Sequence, residues 1–250
     1  MMRGWPQGYG RRVLAEVDST NAEAARIAPS LTGPEWILGL RQTAGRGRRG
    51  RPWHDPAGNF AATLVLQPSE PAAKVALRSF VAALALHDAL ATASGRAEGL
   101  TLKWPNDVLL NGGKLAGILL EGLGQRQGVA HLAIGIGVNL AAAPETGTLP
   151  EGSVRPVSLM GERGVAVTPE EFLDLLAPAF AAWETRFVTE GFGPVREAWL
   201  LNAARLGTEI VARTGREEFR GRFETVDEAG NLVLETDNGR HAIPAAEVFF

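Results

Sequence analysis

The stretch Lys103–Glu121, KWPNDVLLNGGKLAGILLE, decides how the rest of the chain is read. Asn111-Gly112 stands between the apolar runs Val108–Leu110 and Leu115–Glu121. Asn-Gly in that setting predicts a tight hairpin, because the favoured turn needs positive φ at both central residues. Ahead of it, Leu100–Trp104 reads as a short strand that Pro105 ends, since proline brings no N–H to a ladder. Asn106 and Asp107 are thereby placed at the rim of a sheet, although Pro-Asn-Asp is equally ordinary turn chemistry. Lys114 enters the second arm beside Ala116 and Gly117, small residues that leave room for a ligand against the backbone. The plainer reading is an exposed hairpin lysine.

Working outward, apolar patterning predicts further strands over Val13–Val17, Trp36–Arg41, Phe60–Leu66 and Val129–Asn139. Asp18-Ser19-Thr20-Asn21 supplies N-cap residues for a helix through Ala28, which Pro29 and Gly33-Pro34 end. Lys74–Ala93 is apolar nearly all round and is the longest helix candidate. Pro144–Pro150 reads as a flexible connection, Pro169 opens an amphipathic helix through Thr189, and a shorter helix covers Pro194–Ala204. From Gly207 the character changes. Glu209–Arg213, Glu218–Val226, Leu232–Thr236 and Arg240–Ile243 are short β-type runs divided by turns. The expectation is an α+β chain: a mixed or antiparallel sheet with packed helices over residues 1–204, then a small β-barrel over 205–250. A unit of about 45 residues is small to be stable alone, so it should dock on the larger one.

Gly45–Trp53, GRGRRGRPW, sets Arg46, Arg48, Arg49 and Arg51 among three glycines. Like charges and conformationally costly glycines keep such a loop from ordering alone, while guanidinium forks suit phosphate oxygens. It reads as a solvated surface loop, as an RNA or DNA contact with Trp53 as a stacking platform, or as a nucleotide-phosphate clamp. Gly45-x-Gly47-x-x-Gly50 has the letters of a dinucleotide fingerprint, and Glu70 lies 20 residues on. That fold needs a helix at once, so that its N-terminus meets the pyrophosphate, yet Pro52, Pro56 and Gly58 follow. A Walker-type loop fails because Arg51-Pro52 stands where Lys and Ser/Thr would grip phosphate and metal. Gly135-x-Gly137 reads as a mark of close strand packing.

The 250 residues, 45% hydrophobic and with a formal net charge of -3, give ample core and no extended basic track to accompany the arginine loop. The absence of cysteine excludes disulfides and thiolate metal sites, and a reducing compartment is permitted. His54, His87, His131 and His241 show no ligand spacing, so no zinc is expected. No apolar signal core is present, and no apolar run reaches the ~20 residues of a membrane span. The expectation is a cytoplasmic protein without a membrane partner. Lysine occurs three times, and two of the three, Lys103 and Lys114, fall in the Lys103–Glu121 stretch, a hint that a compact ammonium is needed there.

Asp18-Ser19-Thr20-Asn21, Gln42–Arg51, Lys103-Trp104-Pro105-Asn106-Asp107, Lys114–Leu119 and Gly135-Ile136-Gly137-Val138-Asn139 follow one another across about 120 residues. In this order, with a β-rich tail behind them, they make the chain strongly resemble the biotin protein ligases (biotin–acetyl-CoA-carboxylase ligases). The resemblance implies a class II synthetase-like fold of the biotin/lipoate ligase type with a C-terminal SH3-like β-barrel. It also implies two-step chemistry: biotin and ATP give biotinyl-5′-AMP, which then biotinylates a lysine of a biotin carboxyl carrier protein, of acetyl-CoA or pyruvate carboxylase. By the same resemblance Ser19, Thr20, Asn21, Gln42, Gly45 and Arg46 would form the biotin site, with Gly117 under the bicyclic head. Arg48, Arg49 and Arg51 would close over the adenylate phosphate, Trp53 would pack on adenine and Asn139 would read its edge. Lys114 would bind carboxylate and phosphate oxygens, and Asn106 and Asp107 would serve the Mg²⁺-phosphate or incoming-lysine region, Asp107 as the magnesium ligand. Arg48, Lys114 and Asp107 are the catalytic candidates. Pro52 departs from many relatives and should stiffen the loop's exit.

The physics agrees with these roles. Biotin's carboxylate and the α-phosphate are both anions, so joining them needs concentrated positive charge, while a neutral ureido head asks for hydroxyl and amide partners. Family members that also repress transcription carry a preceding DNA-binding domain. Only 17 residues precede Asp18 here, against about 50 for a small domain, so no DNA partner is expected; relatives include dimers. A lipoate or octanoate ligase is the nearest enzymatic alternative, and an RNA-binding module is the alternative of another class.

Overall fold

The computed structural model describes residues 4–124, 130–145 and 154–250, so Val129 and most of the Pro144–Pro150 connection lie outside the described residues. The hairpin forms where the turn chemistry places it. Asn111 and Gly112 have φ of 51° and 77° and join β5 (Asp107–Leu110) to β6 (Gly113–Leu123). β4 (Leu100–Lys103) pairs with β5, setting Lys103 opposite Asp107. With β1 (Gly10–Leu14), β2 (Glu35–Gly39), β3 (Phe60–Leu66) and β7 (His131–Val138), they build a seven-stranded sheet of order β1-β2-β3-β7-β6-β5-β4. Only β1 and β2 run parallel. The expected Val13–Val17 strand starts and ends earlier; Val17 instead makes an isolated bridge to Gln42, which brings the turn after it beside the arginine loop.

Alternation sorts the strand side chains onto two faces. Phe60, Ala62, Leu64, Ile134, Ile136 and Val138 share the main core with the helices α3 (Arg78–Ser94) and, after the short α4 (Leu159–Arg163), α5 (Pro169–Glu190). Phe60 meets Phe172 edge-on at 5.1 Å. The helix expected over Lys74–Ala93 breaks at Leu77 into α2 (Ala72–Ala76) and α3, and the longest helix is α5, which a Thr168–Glu171 capping box starts. Ala72–Ser94 is long and apolar enough to cross a membrane by composition, but it is mostly buried, and packing between sheet and α5 accounts for its all-round apolar character.

On the opposite face, α1 (Thr20–Ile27) covers one end by laying Ala24, with the adjoining Ala28, on Ile37, Val65 and Ala133. Beyond α1 the register aligns Gly39, Ala61, Gly137 and Gly117 across β2, β3, β7 and β6, and the row continues through Asp107 to Lys103. Small residues at every strand of that row leave a trough. Charged groups stand at its end.

The tail forms β8 (Glu209–Arg213), β9 (Glu218–Val226), β10 (Leu232–Thr236), β11 (Gly239–Ile243) and β12 (Glu247–Phe249). Their order, β11-β10-β9-β8-β12, is that of an open antiparallel sheet; its outer strands do not pair among the described residues, so the expected barrel is not closed. It docks as anticipated. Trp104 Nε1 donates to Gly230 O at 3.1 Å, Arg196 from α6 (Phe192–Leu201) donates to Val226 O, and Phe223, Val226 and Leu232 belong to the main core.

Because Gly112 holds a left-handed conformation that a side chain disfavours, Gly112→Ala is expected to lower stability by about 1–2 kcal/mol. Urea unfolding checks this, with the midpoint shifting and the slope unchanged.

Candidate active site

A cavity of about 340 Å³ opens over the small-residue row. At its inner end Ser19, Thr20 and Asn21, at the start of α1, are buried. Thr20 donates through its backbone N to Gln42 Oε1 at 2.9 Å, and its Oγ1 lies 3.2 Å from the same oxygen. The buried Thr63 hydroxyl of β3 lies 2.8 Å from Thr20 Oγ1 and 2.6 Å from Asn21 Oδ1. The glycines of β7 make this possible. A Cβ on Gly135 would sit 2.2 Å from Asn21 Oδ1, and one on Gly137 would sit 2.4 Å from the Trp53 ring. The Gly135-x-Gly137 pair therefore seats side chains and is not a strand-packing device. Gly117 also faces the Trp53 indole, 3.3 Å from its Cβ position. The ligand that the sequence places against bare backbone at Gly117 meets an indole there.

The arginine loop is ordered by its own turns and by acceptors from three other segments. Gly47 N donates to Arg51 O at 2.7 Å and Trp53 N to Gly45 O at 2.9 Å, while Arg46 and Pro52 form a bridge. Arg49 and Gly50 take φ of 58° and 72° at the tip. Arg46 pairs with Glu121 at 3.0 Å, Arg48 donates to Asn106 Oδ1 at 3.1 Å, and Arg49 and Arg51 both pair with Glu247, at 2.9 and 2.7 Å. The hydrogen bond from Arg51 holds the Glu247 carboxyl below the usual range. Arg48 is the most enclosed of the four, and burial pulls its pKa down, opposed by Asp107. Gly45 does not line the cavity. It keeps the loop base narrow, since a Cβ there would lie 2.9 Å from both Gln42 Nε2 and Trp53 O.

At the outer end Lys114 Nζ lies 2.8 Å from Asp107 Oδ1 and 5.9 Å from the Trp53 ring centroid. Asn106 Nδ2 donates to Ile118 O at 2.6 Å, fixing the rim on β6. Lys103, absent from the site the sequence suggested, lines the same cavity with only 9% of its surface exposed. Burial pulls its ammonium pKa down, opposed by Asp107. Its rarity as a lysine was the signal available. Asn139 also lines the wall, but its Nδ2 donates to Val157 O at 3.0 Å and its Oδ1 lies 3.4 Å from Asn59 Nδ2, so its amide is spent on shaping the wall. Among the described residues no three His, Cys, Asp or Glu side chains cluster as a metal site. Asp107 is engaged by Lys114, so these residues do not fit a resident magnesium held by the protein. Glu247 and its neighbours in β12 complete the wall. No local signal ties Glu247 to Arg51, 196 residues earlier.

A neutral hydrogen-bonding recess thus lies beside a cluster of cations in one trough of a mixed sheet. The comparisons identify the kind of protein: the chain belongs to the biotin/lipoate A/B protein ligase family. The sequence model of that family matches residues 13–139, and that of the biotin protein ligase C terminal domain matches residues 206–250. The chain is 60% identical to the biotin–[acetyl-CoA-carboxylase] ligase of Paracoccus denitrificans, over 95% of this chain and 99% of that protein. It is 32% identical to the bifunctional ligase/repressor BirA of Bacillus subtilis, over 94% of this chain and 73% of that protein. Among solved structures, the Aquifex aeolicus biotin protein ligase in complex with biotin and ATP matches with a TM-score of 0.79 at 25% identity, covering 96% of this chain and 97% of that one.

Asp55, just past the loop, has both carboxylate oxygens buried without a hydrogen-bond partner among the described residues. Burial pushes its pKa up to about 6, and Gln42 lies near enough to offset only part of that. A carboxyl whose folded pKa is raised favours folding in its protonated form, so stability is lost as pH rises from about 4 through 6. Asp55→Asn is expected to raise stability at pH 7.5 by on the order of 1–2 kcal/mol, the shift being discounted for partial exposure. Thermal melts at the two pH values check this, with the gain vanishing near pH 4.

Proposed function

We propose that this chain joins biotin to ATP and transfers the biotinyl group to a lysine of a biotin carboxyl carrier domain, that of acetyl-CoA carboxylase. The observation that carries this reading is the juxtaposition, in one cavity, of the Thr20–Gln42 recess with Lys103, Lys114 and the four loop arginines. Near-full-length identity to a biotin–[acetyl-CoA-carboxylase] ligase supports it.

In this reading Ser19, Thr20 and Gln42 receive the neutral ureido head of biotin, with Arg46 over it and the Trp53 indole along the trough. The carboxylate then lies toward Lys103 and Lys114, where positive charge offsets its repulsion from the α-phosphate. A carboxylate oxygen attacks the α-phosphorus, the bond to the bridging oxygen breaks, and pyrophosphate leaves. Arg48, Arg49 and Arg51 stabilise the charge on the transferring phosphoryl group, the latter two exchanging Glu247 for phosphate oxygens. Trp53 and the wall that Asn139 holds flank the adenine. Magnesium arriving with ATP would supply charge neutralisation there. In the second step the neutral amine of the acceptor lysine attacks the anhydride carbonyl, AMP departs, and the amine gives up a proton. Asn106 and Asp107 stand at the rim where that amine arrives. Closing the loop keeps water from the anhydride. The division of labour follows the two parts of the chain, residues 1–204 and 205–250, with β12 bringing the acceptor for the loop's tip.

The direct test is acid-quenched mass spectrometry of purified protein with ATP, Mg²⁺ and biotin, lipoate or octanoate. Biotinyl-AMP formed with biotin alone is expected, and no adenylate from demonstrably folded protein would overturn the reading. Arg48→Ala is expected to slow adenylation by about 10²–10³-fold, the scale of losing one charge-stabilising donor. Single-turnover kinetics measure it; a near-normal rate would remove Arg48 from the chemistry.

A further inference from the structure

The arginine loop's first cation is tied to a residue that plays no part in the chemistry described above. Glu121, toward the far end of β6, accepts from Arg46 Nη2 at 3.0 Å and from Asn21 Nδ2 at 2.6 Å on the same carboxylate oxygen, Oε2. Asn21 is buried, with 3% of its surface exposed, and its Oδ1 faces Thr63, which in turn faces Thr20. An ionised carboxylate only accepts, so Glu121 obliges Asn21 to turn its amide nitrogen outward and its oxygen toward Thr63. The direction of one bond therefore sets the next. With the Thr63 hydroxyl donating to Asn21 Oδ1 and that of Thr20 to Thr63, a polar chain runs from the loop to the recess, Arg46, Glu121, Asn21, Thr63, Thr20, and the Thr20 backbone N–H carries it on to Gln42 Oε1. Charge-assisted bonds are the strong members of such chains, and Glu121 makes both of those in this one.

From this we infer that Glu121 is a positioning residue for biotin recognition: it fixes the amide orientation of Asn21 and tethers the base of the arginine loop to the biotin recess. The inference rests on the ligase reading, and its effect falls on the biotin side. The ATP side is held separately, through Arg48 on Asn106 and through Arg49 and Arg51 on Glu247. Without Glu121, Asn21 loses its only side-chain acceptor among the described residues and Arg46 loses its carboxylate, while the tip of the loop stays tethered.

The test uses Glu121→Ala and Glu121→Gln in the full chain, with two readouts. Limited trypsin cleavage within residues 45–53 of the ligand-free protein reads the tether without any assumption about catalysis. It should be several-fold faster in Glu121→Ala at an unchanged melting temperature. Steady-state kinetics should raise the half-saturating biotin concentration about tenfold, the equivalent of one charge-assisted hydrogen bond, and leave that for ATP within about twofold. Glu121→Gln keeps the shape and one acceptor oxygen, so it should fall between Glu121→Ala and the parent; where Glu121→Ala does not fold, Glu121→Gln carries both readouts with smaller shifts in the same direction. Unchanged loop cleavage would overturn the tether, and equal losses for biotin and ATP would overturn the coupling to the recess. A parent protein that forms no adenylate would instead remove the ligase reading, while the cleavage comparison would still judge the tether.

Discussion

Four guanidinium groups within six residues repel one another, and that repulsion organises the site. Arg46, Arg48, Arg49 and Arg51 cannot share a cavity wall unless each is met by an acceptor. The chain supplies one from each side: Glu121 from the sheet, Asn106 from the rim, Glu247 from the C-terminal strand. Two of those acceptors are carboxylates, the charge type a nucleotide phosphate would bring. The loop is thus held in readiness by side chains that a stronger, multivalent anion can displace.

The trough answers a second need. A ligand lying against a sheet requires a row of small residues, and the register delivers Ala61, Gly137 and Gly117 abreast under the cavity. Trp53 occupies part of that row and brings an apolar surface to it, with Lys114 at its face. Apolar floor, neutral recess and cationic wall are then one continuous surface, suited to a molecule with an apolar body, a ureido head and an acidic tail.

Much of this was legible in the sequence wherever local chemistry decides structure. Asn111-Gly112 required its turn, Phe60–Leu66 had the continuous apolar run of a buried strand, and the strands β8, β9 and β10 fell between turn residues that could be named. The motif residues also proved to be neighbours in space. What escaped was set by distance along the chain. Glu247 and its three-residue strand carry no pattern of their own, and their partner lies 196 residues away. Lys103 was noticed for its rarity, but its burial comes from packing that no local pattern encodes. In the sequence Gly135 and Gly137 look like strand packing, because the side chains they accommodate, Asn21 and Trp53, arrive from distant turns. The continuous helix expected over Lys74–Ala93 is interrupted at Leu77, where backbone bonds tighten to three-residue turns, Leu77 N to Lys74 O and Phe80 N to Leu77 O.

In the proposed reaction the arginine loop exchanges protein carboxylates for the anions of the reacting pair. Amide hydrogen exchange of peptides covering residues 44–54 and 243–250 tests it most directly, with biotin alone, ATP alone and both together. The slowest exchange in the loop is expected when both are present, accompanied by a change in the peptide that carries Glu247. Loop exchange unaltered by biotin plus ATP, at concentrations that saturate binding, would contradict it.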